Sequence, residues 1–472
     1  MTSYYRFRPI DRLLGDSQEL ETQTVFFSEP DALNDPMEGL SELVFSGDAI
    51  VWENLFRHFL GCLAWGVIHH LFIKEEEVLT VRGLPLADPF HSPDIPFIRQ
   101  VIALADRLVA ASDMQSLVSH LANRKVPVTE SELRFYLSRL HLPWAVEALR
   151  LIPEGVLKDG VPDAASLDVL NLLHVVETTL AATGNDTDDS AEKLRAAFEA
   201  ANATHDQMAL RAWLCIEGPA RENHRFVYVS FVARYLEGLR TLVYPDWYMA
   251  CFMDSISNAS VWGHYANGHR DVCLKFRATA NHETDFLPLR VPAAANGAGP
   301  IWNEVPIPFK AVVYSPSIVR LNFFTSMGSI PIPTLNKVWR VNRKRELSPI
   351  EREVHADETR WRAKHWEDFE TSITTKLEDW SYEREHRLTF WSHINDLSSP
   401  QMRLMTYNFE DLEGIVFGIK TSESSKREII RIIRRKCAKA GRKDFEFLQA
   451  YRNPDGAGIE TYPLDLLSHI ED

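Results

Sequence analysis

The sequence has no CxxC pair and no regular cysteine spacing. Its five cysteines, Cys62, Cys215, Cys251, Cys273 and Cys437, are scattered over 472 residues, which argues against a disulfide framework and a structural zinc site and leaves them as small buried hydrophobes. No apolar run reaches membrane length. The longest, Phe59 to Ile73, is interrupted by His69 and His70 and falls short of the roughly 20 residues a span needs, so it reads as a buried helix. The opening segment MTSYYRFRPIDRLL lacks an apolar h-region and a small-residue cleavage site, so no signal peptide is expected and a bacterial-type cytoplasmic location is the expectation. There is no Walker A, GxGxxG, GxSxG, HExxH or kinase signature. Nucleotide hydrolysis, Rossmann oxidoreduction, α/β-hydrolysis and zincin proteolysis are therefore disfavoured.

What is present is the composition of an ordinary soluble globular chain, 45% hydrophobic and 25% charged, which sets aside disorder, collagen and membrane classes. Its length implies two or three structural units. A formal net charge of −15 favours solubility and disfavours wholesale nucleic-acid binding.

Residues 4 to 28 read as a strand (YYRFR), a helical turn and a second strand (TVFFS). From about 40 to 245, apolar residues recur at three and four positions, beginning with SELVFSGDAIVWENLFRHFLGCLAWGVIHHLF and running through IPFIRQVIALADRLVAA, ESELRFYLSRLHL, AASLDVLNLLHVVETTLAA and RENHRFVYVSFVARYLEGLRTLV. This is helix periodicity. Thr129 with Glu132 makes a capping box, Pro143 and Pro153 punctuate the run, and Gly184 to Ser190 is an exposed connection. After Tyr244 short β-branched or aromatic runs return: WYMACFM, VCLKFR, AVVYS, HRLTFW, LMTYNF and GIVFGI. Ala293 to Pro300 reads as a turn or loop, and SSKREIIRIIRRKCAKAG as an amphipathic helix with a basic face. The expected fold class is α+β: a small mixed or antiparallel sheet domain split by a large all-helical insertion. Residues 1–40 form its first part, 41–245 the insertion, and 246–472 the second part with its C-terminal basic helix. Such insertions are tolerated because loop closure costs grow slowly with length.

Four blocks carry a resemblance. YYRFRPI, VFFSEPDALNDPMEG, SVWGHYANGHRDVCLKF and KLEDWSYEREHRLTFW, with LEGIVFGIKTS trailing, resemble in order the bacterial family designated domain of unknown function 2971. Its pattern is an aromatic-basic first strand, Phe-Ser-x-Pro with Asn-Asp-Pro-x-Glu, Trp-x-x-Tyr-Ala with a His-x-x-Val-Cys strand, and Trp-x-x-Glu-x-Glu-x-Arg. The resemblance covers fewer than half the residues, and the long insertion between the second and third blocks departs from the family. The family name supplies no chemistry.

In the last block, Glu383 and Glu385 flank Arg384 at the entrance to a strand. Period-two alternation points both carboxylates to one face, where two like charges raise the pKa of at least one unless a cation or hydroxyl shares the site. The bland alternative pairs them with Arg387 or Arg384 on an exposed edge. An E-x-E at a strand start is similar to that of ADP-ribosyltransferases, which place an Arg or His on the first core strand, a Ser or Tyr on a second and the E-x-E on a later one. That resemblance implies NAD as substrate. Arg6 or Arg8 would grip the pyrophosphate, Tyr5 or Phe27 would stack on nicotinamide, and Ser28 would occupy the second-strand position. Glu385 would stabilise positive charge as the glycosidic bond breaks, and Glu383 would orient the acceptor.

In the third block, Trp262 and Tyr265 at helical spacing read first as core. His264 and His269 do not have the spacing of helical zinc ligands, and His269, beside Arg270, is the better site candidate. Asn34-Asp35-Pro36 admits two explanations: Asp35 caps a helix starting at Pro36 with Glu38 in its first turn, or Asp35 and Glu38 bind a metal across a cleft from Glu383 and Glu385. The basic segments 339–348 and 426–443 read first as solvated faces. Both are also candidate nucleic-acid contacts, the first, with Trp339, Trp361 and Trp366 interleaved, as a surface for nucleic acid or another acidic partner.

Two functional expectations follow. The first is an ADP-ribosyltransferase-like transferase that cleaves NAD and modifies a protein or nucleic acid, as a toxin or antiviral (anti-phage) defence effector. The second is a nucleic-acid-binding or metal-dependent nuclease module of a defence system.

Overall fold

The computed structural model describes residues 2–33, 41–74, 77–153, 188–214, 221–280, 284–316, 319–454, 456 and 458–465. The protein is α+β, with several sheets, one of them a curled antiparallel half-barrel. The chain folds into two compact units: Met1–Leu40, Pro245–Ile318 and Glu370–Asp472 form one, Ser41–Tyr244 and Val319–Phe369 the other.

In chain order the strands among the described residues are β1 (Ser3–Arg8), β2 (Thr24–Phe26), β3 (Glu42–Phe45), β4 (Val128–Thr129), β5 (Trp247–Met253), β6 (Val272–Arg277), β7 (Thr279–Ala280), β8 (Asp285–Asn296), β9 (Gly299–Pro308), β10 (Lys310–Ala311), β11 (Val313–Tyr314), β12 (Arg320–Asn322), β13 (Thr375–Lys376), β14 (Glu385–Trp391), β15 (Leu404–Tyr407), β16 (Leu412–Phe417), β17 (Glu446–Arg452) and β18 (Ile459–Pro463). The first unit holds an eight-stranded sheet in the order β10-β14-β5-β1-β6-β16-β17-β18. Its pairs are antiparallel except β16 with β17, which are parallel. A second sheet runs β2-β15-β8-β7, with β9 on β8.

Both faces of the large sheet are covered, because successive side chains point to opposite sides. Tyr4, Phe252, Leu274, Ile415 and Phe417 pack in one apolar cluster together with Phe27 and the helix Glu423–Ala440. Phe7, Met253, Cys273 and Val416 join a smaller cluster on the other face, sealed by Val261 and Trp262 of the helix Ala259–Tyr265. That short helix forms because Asn258 caps it, its side chain accepting from the Ser260 N–H at 2.8 Å. It delivers Tyr265 to the edge of that face.

The second unit is built on the helix Ala49–Phe72, whose buried residues include Trp52, Phe56, Phe59 and Leu63. Asp48 caps it by accepting from the Ile50 N–H, and Thr129 caps the helix Glu130–Leu149 by accepting from the Glu132 N–H at 3.3 Å, which is one half of the expected capping box; the Glu132 carboxylate is taken by Arg124 and Tyr136 instead. Pro143 lies inside that helix rather than ending it. SELVF opens the helical reading but contains β3, which pairs with β12 and β4; its alternating burial has the period of a strand. Residues 319–369, read from sequence with the second part of the α+β domain, belong with the helical unit. The reason is concrete: β12 pairs with β3, and Asn54 donates to the carbonyls of Trp339 and Val341.

AASLDVLNLLHVVETTLAA, Cys215 and the turn from Asn34 to Gly39, with Asp35, Pro36 and Glu38, lie outside the described residues, as does most of Gly184 to Ser190.

Candidate active site

The E-x-E pair sits at a junction of local structure. Glu383 ends a 3-10 turn (Glu378–Glu383), Arg384 takes left-handed backbone at φ 51°, and Glu385 opens β14. Left-handed backbone on a non-glycine residue stores strain of about 1–2 kcal/mol. Here it turns the chain so that the two carboxylates meet on one cation. Lys376 Nζ donates to Glu383 Oε2 at 2.7 Å and to Glu385 Oε2 at 3.0 Å. Strand alternation was the expected cause of their convergence; the turn at Arg384 is the actual one.

Lys376 arrives on β13, whose parallel pairing with β11 places it beside Tyr314. The Glu385 N–H donates to the Tyr314 hydroxyl at 2.8 Å. Arg387, next but one along β14, grips Glu385 through Nε at 2.9 Å and Nη2 at 3.3 Å, and its Nη1 donates to the Ile373 carbonyl at 2.7 Å. Glu383 is held by the Tyr265 hydroxyl, which donates to Oε1 at 2.6 Å. Glu383 and Glu385 are 1% and 2% exposed, so the pairing predicted for an exposed edge exists, with Arg387, in the interior. Arg384 is the exposed one and pairs with Asp254.

Two carboxylates and two cations balance formally, which is how a protein keeps such charges out of water. Burial pushes the Glu385 carboxyl up, with Lys376 pulling it back. Burial works against the Lys376 ammonium, but Glu385, Tyr265 and Glu383 overcome it and raise its pKa. Burial, and then the charge of Glu383, raises the Tyr265 phenol; the Tyr314 phenol is pushed up to about 12, mainly by burial. The Cys251 thiol is driven well up by burial and by Glu385 beside it.

The two carboxylates are not equivalent. Glu385 is wrapped by Lys376, Arg387 and Cys251. Glu383 has Lys376 on one oxygen and, on the other, the phenol of half-buried Tyr265. An aromatic rim lies next to this corner. Lys376 Nζ is 4.9 Å from the centre of the Trp380 ring, Trp380 contacts Tyr382 and His264, and the Tyr382 hydroxyl is 3.1 Å from His264 Nδ1.

The other expected site residues are dispersed. Tyr5 and Glu385 both pair with Met253, from opposite sides of β5, so they share a face. Arg6, one residue on, is on the other face. There its guanidinium donates to the carbonyls of Cys251 at 3.0 Å and Phe26 at 2.8 Å and lies over the Phe252 ring. Burial pushes its pKa down to about 10. Arg8 is engaged by buried Glu19, and Phe27 is fully buried core. Neither Arg6, Arg8 nor Phe27 faces the E-x-E centre.

Ser28 bridges to β5 rather than β14: its N–H donates to the Met249 carbonyl at 2.8 Å and its carbonyl accepts from the Met249 N–H at 3.0 Å. Met249 is four residues from Met253, about 13 Å along the strand at ~3.3 Å per residue. His269 follows the helix Ala259–Tyr265 at φ 69°, its ring parallel to that of Trp262. Trp262 is core, as read; Tyr265 packs half-buried against the same cluster and also holds Glu383 through its hydroxyl. Among the described residues no cluster of three or more His, Cys, Asp and Glu side chains is arranged to hold a metal ion. Lys376 and Arg387 occupy the cation positions of the two glutamates.

The basic segments are largely committed within their own units. Trp339 and Arg340 are fully buried, with Arg340 on Glu351, and Arg343 pairs with Asp106. Trp339, a buried indole, cannot stack on a base, while Lys344 and Arg345 of the same segment are exposed. On the helix Glu423–Ala440, Arg435 and Lys436 tie to Glu21 and Gln23. No described helix is long and apolar enough to cross a membrane.

Lys376 and Tyr314 were not singled out by sequence reasoning. A lone lysine seven residues before an acidic pair carries no motif, and only β11 beside β13 brings it in. Comparison of the chain with family models, with curated proteins and with solved structures gave no match.

Proposed function

We propose that the first unit is an ADP-ribosyltransferase-like enzyme that cleaves the N-glycosidic bond of NAD at the Glu383–Glu385 centre. The observation that carries this reading is the convergence of both E-x-E carboxylates on Lys376, at 2.7 and 3.0 Å, with a half-buried phenol on the outer oxygen of Glu383. The roles differ from those expected. Glu385, saturated by Arg387 and Lys376, is the buttress that fixes the corner. Glu383, released from Tyr265 when the ribose hydroxyls take its place, is the carboxylate that stabilises the developing oxocarbenium ion. The bond to nicotinamide breaks with its electron pair leaving on the nicotinamide nitrogen, and an acceptor nucleophile adds at the ribose carbon and loses its proton. Trp380 and Tyr382 supply ring surface for stacking, and Tyr5 is the one expected nicotinamide contact on the same face.

Incubation of the purified protein with NAD labelled in the nicotinamide ring tests the reading, alone and with cell lysate as a source of acceptor. The expected result is labelled nicotinamide in solution. Release no faster than from buffer under both conditions would sink it.

A further inference from the structure

The helical unit carries a cleft that the E-x-E centre does not use. Its volume is about 490 Å³, within the range that takes small organic ligands. It opens at the N-terminus of the helix Glu358–Thr374, which Asp357 already caps, so the cation that could draw an anion there is the Arg360 side chain and not the helix end. A lone cation would mean little, but a second feature stands beside it.

His365 lines the cleft, is only 7% exposed, and has no hydrogen-bond partner for either ring nitrogen among the described residues. An imidazole carries one donor and one acceptor when neutral, and those of His365 are not sealed away from solvent and stay open to a ligand. Burial lowers its pKa to about 4, so at neutral pH it offers a hydrogen bond and not a charge. Its ring is clamped between Trp361, centroids 4.9 Å apart and nearly parallel, and Tyr244 at 4.7 Å. Trp361 is itself fixed, its indole N–H donating to the Thr325 carbonyl at 2.8 Å. Gly328 leaves room at the imidazole, since a Cβ there would collide with His365 Nε2.

The charges of the wall are unevenly used. Lys364 is paired with Asp368, and the Asp357 carboxylate accepts from the Arg360 N–H at 2.9 Å. The Arg360 guanidinium is exposed and makes no ion pair or hydrogen bond among the described residues. The lining thus offers one uncommitted guanidinium, one unpaired imidazole and two fixed aromatic rings.

We propose that this cleft binds a small ligand with a flat aromatic body and a single anionic group. The anion pairs with Arg360 at the helix N-terminus, the ring packs on Trp361 and Tyr244, and a polar ring atom completes the hydrogen bonding of His365. A nucleoside monophosphate and an aromatic carboxylate share this chemistry, so AMP and indole-3-acetate are the two probes, with inorganic phosphate as a third arm that lacks the ring.

Isothermal titration of the full chain should show AMP or indole-3-acetate binding with a Kd of about 1 mM or tighter, and phosphate alone at least about tenfold weaker. Arg360→Gln, an exposed change that leaves the fold intact, should weaken the bound probe at least about tenfold, the worth of one charge-assisted contact. Arg362→Gln, paired with Glu358 and not part of the wall, should leave it unchanged. Which probe binds identifies the source of the anion. Absence of binding by both probes at several times that concentration overturns the proposal. So does equal affinity in Arg360→Gln, or phosphate binding as tightly as the aromatic probes.

Discussion

Two buried cations lie on opposite faces of one sheet and are satisfied in different ways. Arg6 gives its hydrogen bonds to the backbone carbonyls of Cys251 and Phe26 and its flat face to Phe252. Lys376 gives its own to two carboxylates. Burial lowers the pKa of the first and, overcome by Glu385, Tyr265 and Glu383, leaves that of the second raised. A cation on carbonyls fastens strands together and has nothing to exchange with a substrate. A cation on carboxylates holds two negative charges in the interior, one of them behind the half-buried phenol of Tyr265.

The largest test of that contrast is Lys376→Met, which among the described residues leaves buried Glu383 with only the Tyr265 phenol and Glu385 with only Arg387 as cation, and should cost about 3–5 kcal/mol in urea unfolding. Without the ammonium that pulls it down, the folded-state pKa of Glu385 rises further, the folded state binds a proton more readily than the unfolded one, and the deficit should shrink as pH falls. In the wild type, Glu385 already has a raised folded pKa. Its contribution to stability should therefore decline as pH climbs from the ordinary carboxylate value through the raised one, then level off. Lys376, also raised, contributes fully until the pH passes the ordinary lysine value of about 10.4 and is lost only above it. A Lys376→Met deficit below about 1 kcal/mol, beneath the range for a broken buried pair, would remove the distinction between the faces.

Arg6→Met comes next. It removes the side-chain donor shared by two carbonyls and should cost about 2–3 kcal/mol, measured the same way, with nicotinamide release per folded molecule unchanged. Tyr265→Phe removes one donor to a carboxylate at a half-buried position and should cost about 1–2 kcal/mol; a larger loss would mean that the phenol is a structural bolt and not a gate. Arg435→Ala, which breaks an exposed pair with Glu21, should change stability by less than about 1 kcal/mol, a difference that added salt erases.

Much of this architecture was readable from residue patterns. YYRFR, WYMACFM, VCLKFR and HRLTFW announce β1, β5, β6 and β14 through their strand-like runs, and the E-x-E was singled out from its place at a strand entrance. The partners of that pair were hidden for a physical reason. Lys376 reaches the site through β11 beside β13, a two-residue parallel pairing with no local signature. Arg6 and Phe27 were expected at the site because order along the chain says nothing about sheet face. One residue separates Tyr5, on the face of Glu385, from Arg6, on the other. Helical periodicity ran through SELVF because a four-residue strand next to a long helix offers too few turns to tell the two periods apart.

The proposed division of labour gives chemistry to the Glu383 face and only architecture to the Arg6 face. Nicotinamide release from labelled NAD, measured side by side for wild type, Glu383→Gln and Arg6→Met and normalised to the folded fraction of each, decides it. Wild type and Arg6→Met should release nicotinamide at the same rate, and Glu383→Gln should lose about 10²-fold or more. Equal rates in wild type and Glu383→Gln would contradict the division.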